Sequence, residues 1–297
     1  MTIPRHPLDD GRPVSRNRAG AVRRRRLLVL ALALVSTLVI VVLAVELLAD
    51  PDTHGASVER YTIDSRMVHR SLPQVAVVPP GHPPGRRPLL VFLHGKGNDG
   101  QDSNLNSEMF AALARLGARA PDVVFPSGGE DSYWHNRASG DWGSYVLREV
   151  IPQALRRLHA DPDRVAIGGI SMGGFGAYDI ARLDPGRFCA VGGHSAAIWV
   201  NGGETAAGAF DNAEDFARHD VIGSVETSPD PYPRKSLWLD VGAQDPFRTA
   251  DTTLAHDLRQ KGEAVSFHVW PGGHEGGYWR GHWNEYMRFY ADALARC

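Results

Sequence analysis

The chain has 297 residues, of which 43% are hydrophobic and 22% are charged, a composition typical of a globular protein and not of a disordered one. The formal net charge is −2, but residues 1–26 hold eight arginines and two aspartates, so the other 271 residues carry −8. An acidic body argues against nucleic acid as a partner. The chain has two cysteines, Cys189 and Cys297, which are too few and too far apart for a structural zinc site.

A long apolar run follows the basic N-terminal segment. Residues 27–45 contain no charged side chain, and as a helix they span about 28 Å, close to the hydrocarbon thickness of a bilayer. The arginines before the run predict that the N-terminus stays in the cytoplasm. We therefore predict a cytoplasmic tail over 1–26, a transmembrane signal-anchor over 27–48 and an exported body. Cleavage as a signal peptide is the alternative, although the leucine at position 47 makes a poor cleavage site.

After a linker over 49–57, strands and helices alternate from residue 58 to the C-terminus. Such alternation predicts one α/β domain over 58–297, with a mostly parallel central sheet and helices on both faces. The predicted strands cover 58–68, 72–78, 88–93, 123–125, 164–168, 188–191, 236–241 and 265–270. The predicted helices cover 107–116, 145–159, 174–183, 249–261 and 283–295. Residues 200–234 are irregular in pattern, and we expect a loop or small lid there.

The sequence around Ser171 fits a catalytic nucleophile. Residues 169–173 read Gly-Ile-Ser-Met-Gly, a G-x-S-x-G pattern that follows a predicted strand and precedes a predicted helix. This strand–turn–helix setting is the one that a nucleophile elbow requires, and glycines permit its tight turn. An incidental serine in a glycine-rich connector is the less favoured interpretation.

A serine hydroxyl is a weak nucleophile and needs a base. In α/β-hydrolases the order along the chain is serine, acid and histidine. Asp245 and His274 each follow a predicted strand, so both should lie at the same sheet edge as Ser171, with their strands adjacent. We predict that His274 is the general base and that Asp245 orients it. His194, which also follows a predicted strand, is the second candidate for a site histidine.

The oxyanion that forms during acyl transfer needs hydrogen-bond donors. We predict that these are the backbone N–H groups of Met172, directly after the nucleophile, and of Lys96, in the loop after strand 88–93. Gly95 and Gly97 are less favoured donors, and His94 is interpreted as a structural turn residue.

Four stretches together resemble the putative esterase family: LLVFLHGKG, GGISMGGFGAYDIARLDPGRF, LDVGAQDPF and PGGHEGGYWRGHWNEYMRFYA. That family contains esterase D, feruloyl and acetylxylan esterases and the mycobacterial mycolyltransferases, and the resemblance covers roughly residues 60–296. It implies an α/β-hydrolase fold and acyl-ester chemistry without a metal or organic cofactor. The family's serine, aspartate and histidine fall on Ser171, Asp245 and His274.

The favoured function is a serine carboxylic-ester hydrolase that acts on a small-molecule, glycan or lipid ester outside the cytoplasm. An acyltransferase using the same triad is the alternative, a serine peptidase is less favoured, and a non-catalytic binding module is least favoured because all three triad residues are present. Five aromatic residues in predicted loops, Trp134, His135, Trp142, Trp199 and Trp279, are candidates for a substrate-stacking rim, although covering the sheet ends is the more favoured interpretation.

Overall fold

A computed structural model describes residues 29–40, 51–81, 85–97 and 100–297. The chain divides into two units, 1–50 and 51–297. In the first unit, residues 29–40 are helical and exposed. No helix within the described residues is long and apolar enough to cross a membrane. The predicted anchor over 27–48 extends at both ends into residues outside the described ranges, so it stays a prediction.

The second unit is built around an eight-stranded sheet in the order β1-β2-β4-β3-β7-β8-β9-β10. The eight strands are β1 (Ser57–Ser65), β2 (Arg70–Val78), β3 (Leu89–Leu93), β4 (Asp122–Pro126), β7 (Val165–Ile170), β8 (Ala190–His194), β9 (Ser236–Gly242) and β10 (Val265–Trp270). Strands β3, β4 and β7 to β10 are parallel, and β1 and β2 form an antiparallel pair at one end. The short strands β5 (Asn136–Arg137) and β6 (Gly140–Asp141) form a separate hairpin. The predicted α/β-hydrolase architecture, with a mostly parallel sheet, is confirmed.

Helices cover both faces of the sheet. They are α1 (Ser107–Leu116), α2 (Trp142–Tyr145), α3 (Ile151–Leu158), α4 (Met172–Leu183), α5 (Ala213–His219), α6 (Val221–Thr227), α7 (Arg248–Gln260), α8 (Gly276–Gly281) and α9 (Trp283–Ala295). A π-helical turn (Val146–Val150) joins α2 to α3, and short 3₁₀ turns lie at Gly117–Arg119 and Gly202–Glu204. The central strands β3, β4, β7 and β8 are buried along their whole length, which explains their continuous apolar sequences.

Two apolar clusters lie on opposite faces of the sheet. One contains α4 and α7, and the other contains α1 and α9. Each strand alternates its side chains between them: in β3, for example, Leu89 and Val91 belong to the first cluster, whereas Leu90 and Phe92 belong to the second. Burial on both faces holds the carboxyl ends of the strands at one edge, where the loops that carry chemistry begin.

Several elements differ from the sequence prediction, among them one strand and one helix. The strand expected over 188–191 runs from Ala190 to His194, so Cys189 precedes it and is only half-buried. The helix expected over 145–159 is divided by the π-helical turn.

Cys189 and Cys297 form a disulfide with a Cα–Cα distance of 5.8 Å, which links the start of β8 to the end of the chain.

Candidate active site

Ser171 lies at a sharp turn between β7 and α4. Its backbone is in an uncommon conformation, with φ 54° and ψ −116°, and its amide donates a hydrogen bond of 3.0 Å to the backbone oxygen of His194. A Cβ at Gly173 would overlap the carbonyl oxygen of Leu93, and one at Gly169 would lie 2.5 Å from the Gly173 carbonyl carbon. The glycines on either side of Ser171 are therefore required by close backbone packing.

The three residues of the predicted triad lie in one hydrogen-bonded chain. The Ser171 Oγ is 2.8 Å from His274 Nε2, and His274 Nδ1 is 2.9 Å from Asp245 Oδ2. Ser171 and Asp245 are buried, whereas the His274 side chain is 25% exposed. His274 can therefore exchange a proton with the hydroxyl on one side while the carboxylate stabilises the proton on the other.

The carboxyl of Asp245 is held in its charged form. Burial acts to raise its pKa, but hydrogen bonds from His274 and from the Phe247 amide, the latter 2.8 Å long, outweigh burial and lower the pKa below its usual value. Asp245 thus remains a carboxylate at neutral pH and can stabilise a positive charge on His274.

The loops that carry the acid and the histidine are attached to each other. Strands β9 and β10 are parallel neighbours, as predicted, and the Gln244 amide donates to the Gly272 oxygen at 2.9 Å. A Cβ at Gly242 would lie 2.5 Å from that same oxygen, so the two loops meet too closely for any larger residue there. This contact fixes the separation of Asp245 and His274.

The residues of the predicted oxyanion donors lie near the nucleophile, and Lys96 lines the same cavity as Ser171. Met172 is the first residue of α4, and the Gly95–Lys96–Gly97 loop lies close by, because a Cβ on Gly95 would be 3.5 Å from the Ser171 Cβ. Within the described part of the chain, neither the Met172 nor the Lys96 amide donates a backbone hydrogen bond. The absence of a backbone partner is what an oxyanion donor requires, and the assignment of these two amides stays a prediction.

His94, at the start of that loop, has two backbone partners. Its Nδ1 donates to the Gly95 oxygen at 2.6 Å, and its Nε2 accepts from the Gly128 amide at 2.9 Å. Burial lowers the pKa of His94 to about 4, and its hydrogen bond to the Gly95 oxygen only partly opposes this effect. These contacts agree with the structural role that the sequence indicated.

A cavity of about 500 Å³ opens at Ser171 and His274. Its wall contains several glycines, Ile170 and the half-buried Trp279, whose ring lies edge-on to His274 at 5.0 Å. The other members of the proposed aromatic rim, Trp134, His135, Trp142 and Trp199, are all buried. The structure therefore agrees with the favoured interpretation, in which most of these rings cover the sheet ends.

The side chain of His194, the second candidate histidine, is not part of the triad chain, although the backbone oxygen of His194 accepts a hydrogen bond from the Ser171 amide. It is fully buried at the end of β8, and its Nδ1 is 2.6 Å from Asp240 Oδ1. The sequence predicted that His194 follows the strand over 188–191, whereas it is the last residue of β8.

Residues 200–234 carry helices α5 and α6, which the sequence did not predict. Polar contacts attach this segment to the nucleophile helix: His219 Nδ1 is 2.8 Å from Asp179 Oδ2, and the Arg182 guanidinium donates to the Arg218 backbone oxygen at 2.5 Å. His135 Nε2 lies 3.1 Å from Asp215 Oδ2. Contacts between polar residues distant in sequence leave no periodic signal, so the sequence could not have revealed this attachment.

The family model described as putative esterase matches residues 67–290. Esterase Rv1288 of Mycobacterium tuberculosis is 28% identical over 227 residues, which cover 63% of this chain and 48% of that protein. The chain thus spans about half the length of this curated relative.

Solved structures share the fold. A ferulic acid esterase has a TM-score of 0.69 at 19% identity, covering 80% of this chain and 98% of its own. An S-formylglutathione hydrolase from Agrobacterium tumefaciens has a TM-score of 0.67 at 17% identity, covering 83% and 99%.

Proposed function

The chain belongs to the putative esterase family, and we propose that it is a serine esterase that cleaves carboxylic esters through an acyl-enzyme on Ser171. The observation that supports this most directly is the continuous hydrogen-bonded chain from Ser171 through His274 to Asp245. No other side chain is needed to transfer the proton.

In the first half-reaction, His274 Nε2 takes the proton from the Ser171 hydroxyl as its Oγ attacks the ester carbonyl carbon. The carbonyl oxygen becomes an oxyanion, which the Met172 and Lys96 amides stabilise. When the carbon–oxygen bond to the alcohol breaks, the His274 imidazolium returns its proton to the leaving oxygen. Asp245 stabilises the imidazolium between these two transfers.

In the second half-reaction, His274 removes a proton from a water molecule that attacks the acyl carbon. The bond from that carbon to Ser171 breaks, and His274 returns the proton to the serine. If an alcohol took the place of water, the same steps would give acyl transfer, so the fate of the acyl group identifies the natural acceptor.

The cavity indicates the size of the substrate. A volume of about 500 Å³ is within the range for drug-sized ligands, and Ile170 and Trp279 provide apolar surface next to the reacting atoms. We propose that a small-molecule ester, or the ester-bearing end of a glycan or lipid, binds there.

We also propose that the catalytic domain is exported and anchored by residues 27–48. The uncharged run behind the basic N-terminus supports the anchor. The disulfide between Cys189 and Cys297 supports an oxidising compartment, since such bonds are rare in the cytosol. Cleavage after the apolar run would release the same domain into the medium, and N-terminal sequencing of the mature protein distinguishes the two.

The test uses the full chain, purified in mild detergent, with p-nitrophenyl esters from two to sixteen carbons and a fluorophosphonate label. We expect Ser171→Ala to lose hydrolysis and labelling together. The control variant Ser266→Ala, which changes an exposed serine of β10, should keep both. Added alcohols reveal acyl transfer as a new ester product. A folded wild type that neither labels nor hydrolyses any ester would contradict the proposal.

A further inference from the structure

Behind the triad, the carboxylate of Asp240 in β9 accepts hydrogen bonds from four side chains. Its Oδ1 accepts from His194 Nδ1 at 2.6 Å and from Trp238 Nε1 at 2.7 Å. Its Oδ2 accepts from the hydroxyls of Tyr278 at 2.8 Å and Tyr286 at 2.9 Å. Asp240 is completely buried. Hydrogen bonds to a carboxylate in such a buried site are stronger than those at the surface.

Both tyrosines are held in their donating form. Burial, together with the nearby charge of Asp240, raises the pKa of Tyr278 and of Tyr286 well above the usual value. Their hydroxyls therefore keep their protons, and each can donate to the carboxylate at neutral pH.

This carboxylate is connected to every segment of the triad. Asp240 lies in β9, five residues before the triad acid Asp245, which lies in the loop that follows this strand. The backbone oxygen of His194 accepts a hydrogen bond from the Ser171 amide, and the His194 ring is hydrogen-bonded to Asp240. Tyr278 lies four residues after His274, in the short helix α8.

Of these connections, the one through Tyr278 bears most directly on the base. The loop from β10 to α8 carries His274, and its Gly272 lies against the Tyr278 ring, because a Cβ there would be 2.8 Å from that ring. The Tyr278 side chain is buried beneath the loop, whereas the His274 side chain is 25% exposed. The Tyr278–Asp240 hydrogen bond thus attaches the loop to the sheet on its buried side, in addition to the Gln244–Gly272 contact that joins it to the acid loop.

We propose that Tyr278 and Asp240 are positioning residues for catalysis: their hydrogen bond holds the His274 loop at the distance that lets Nε2 reach the Ser171 hydroxyl. The inference rests on the proposed function of that triad. Because a misplacement of about 1 Å in a catalytic group can cost on the order of 100-fold in rate, a single distant hydrogen bond is sufficient to control kcat.

The experiment compares Tyr278→Phe with Tyr286→Phe. Each variant deletes one hydroxyl that donates to the same carboxylate oxygen at nearly the same distance, but Tyr286 belongs to α9 and not to the His274 loop. With p-nitrophenyl butyrate, at a temperature where circular dichroism shows both to be folded, we expect Tyr278→Phe to lower kcat about 10- to 100-fold with little change in KM. The kcat of Tyr286→Phe should stay within about threefold of the wild-type value. The thermal midpoints of the two variants should fall by similar amounts.

A second readout is independent of ester turnover. The imidazole ¹H–¹⁵N NMR signal of His274 should shift or broaden in Tyr278→Phe and stay as in the wild type in Tyr286→Phe. An equal fall of kcat in both variants, or an unchanged His274 signal in Tyr278→Phe, would overturn the proposal. If the wild type hydrolyses no ester and His274 still responds to Tyr278→Phe alone, the positioning role stands and the acyl-enzyme proposal fails.

Discussion

The disulfide between Cys189 and Cys297 should contribute a large share of the stability of the catalytic domain. The two cysteines are 108 positions apart, so the bond closes a long loop in the unfolded chain. The loop-entropy relation gives about 4.8 kcal/mol for a loop of this length, and measured values for native disulfides are commonly about 2–4 kcal/mol. The bond also holds the end of α9, whose Tyr286, Met287 and Tyr290 are buried against the sheet.

The assay is urea unfolding of the full chain, followed by tryptophan fluorescence. Reduction with dithiothreitol and the substitution Cys297→Ser should each lower the free energy of unfolding by about 2–5 kcal/mol. The variant should not respond further to the reductant, which serves as the control. If the oxidised wild type shows one disulfide by mass spectrometry but unfolds at the same urea concentration as the reduced protein, the reasoning is wrong.

Three further predictions concern the active edge. Asp245→Asn should lower kcat about 10⁴-fold at pH 7 with little change in KM, because an amide no longer holds the correct His274 tautomer; stopped-assay kinetics check this, and a loss below tenfold would refute it. Gly173→Ala should abolish fluorophosphonate labelling and lower the thermal midpoint, since its Cβ overlaps the Leu93 carbonyl; normal labelling would contradict the elbow geometry. The free energy of unfolding should fall as the pH drops from about 6.5 towards 4, because His94 takes up a proton at a higher pH in the unfolded chain than in the folded one. The loss that His94 causes across that window is on the order of 3 kcal/mol.

The sign of the last prediction follows from the lowered pKa. Between the two pKa values the unfolded state binds more protons than the folded state, so acid favours unfolding. His94→Gln retains a donor for the Gly95 oxygen and an acceptor for the Gly128 amide but does not titrate. Its unfolding free energy, measured by urea titration from pH 7 to 4, should change less steeply than that of the wild type. Equal slopes would show that His94 does not account for the effect.

Much of the fold and the candidate site could be predicted from local patterns. Continuous apolar runs separated by amphipathic segments indicated a parallel sheet, because only strands buried on both faces have such sequences. The elbow was recognisable because a tight strand-to-helix turn requires small residues beside the serine, as Gly169 and Gly173 show. Asp245 and His274 could be selected because each follows a strand whose end lies at the active edge.

The contacts between distant segments could not be predicted in this way. His194 was predicted to lie in a loop because the two residues before it are glycines, which give no hydrophobic signal. Pairing with β7 and β9 nevertheless extends β8 through His194. The helices α5 and α6 are held by pairs such as His219 with Asp179, separated by 40 positions, which have no periodicity to reveal them. The anchor over 27–48 still rests on sequence alone.

The sequence by itself determined the order of the main strands and of the helices between them, the tight turn at Ser171 and the chemistry available to each loop, because backbone propensity and residue type act over a few neighbouring positions. Only the tertiary structure decided which side chains share a buried site. The four donors that meet at Asp240 come from positions 194 to 286, and the sheet register and helix packing that bring them together depend on the whole core being formed.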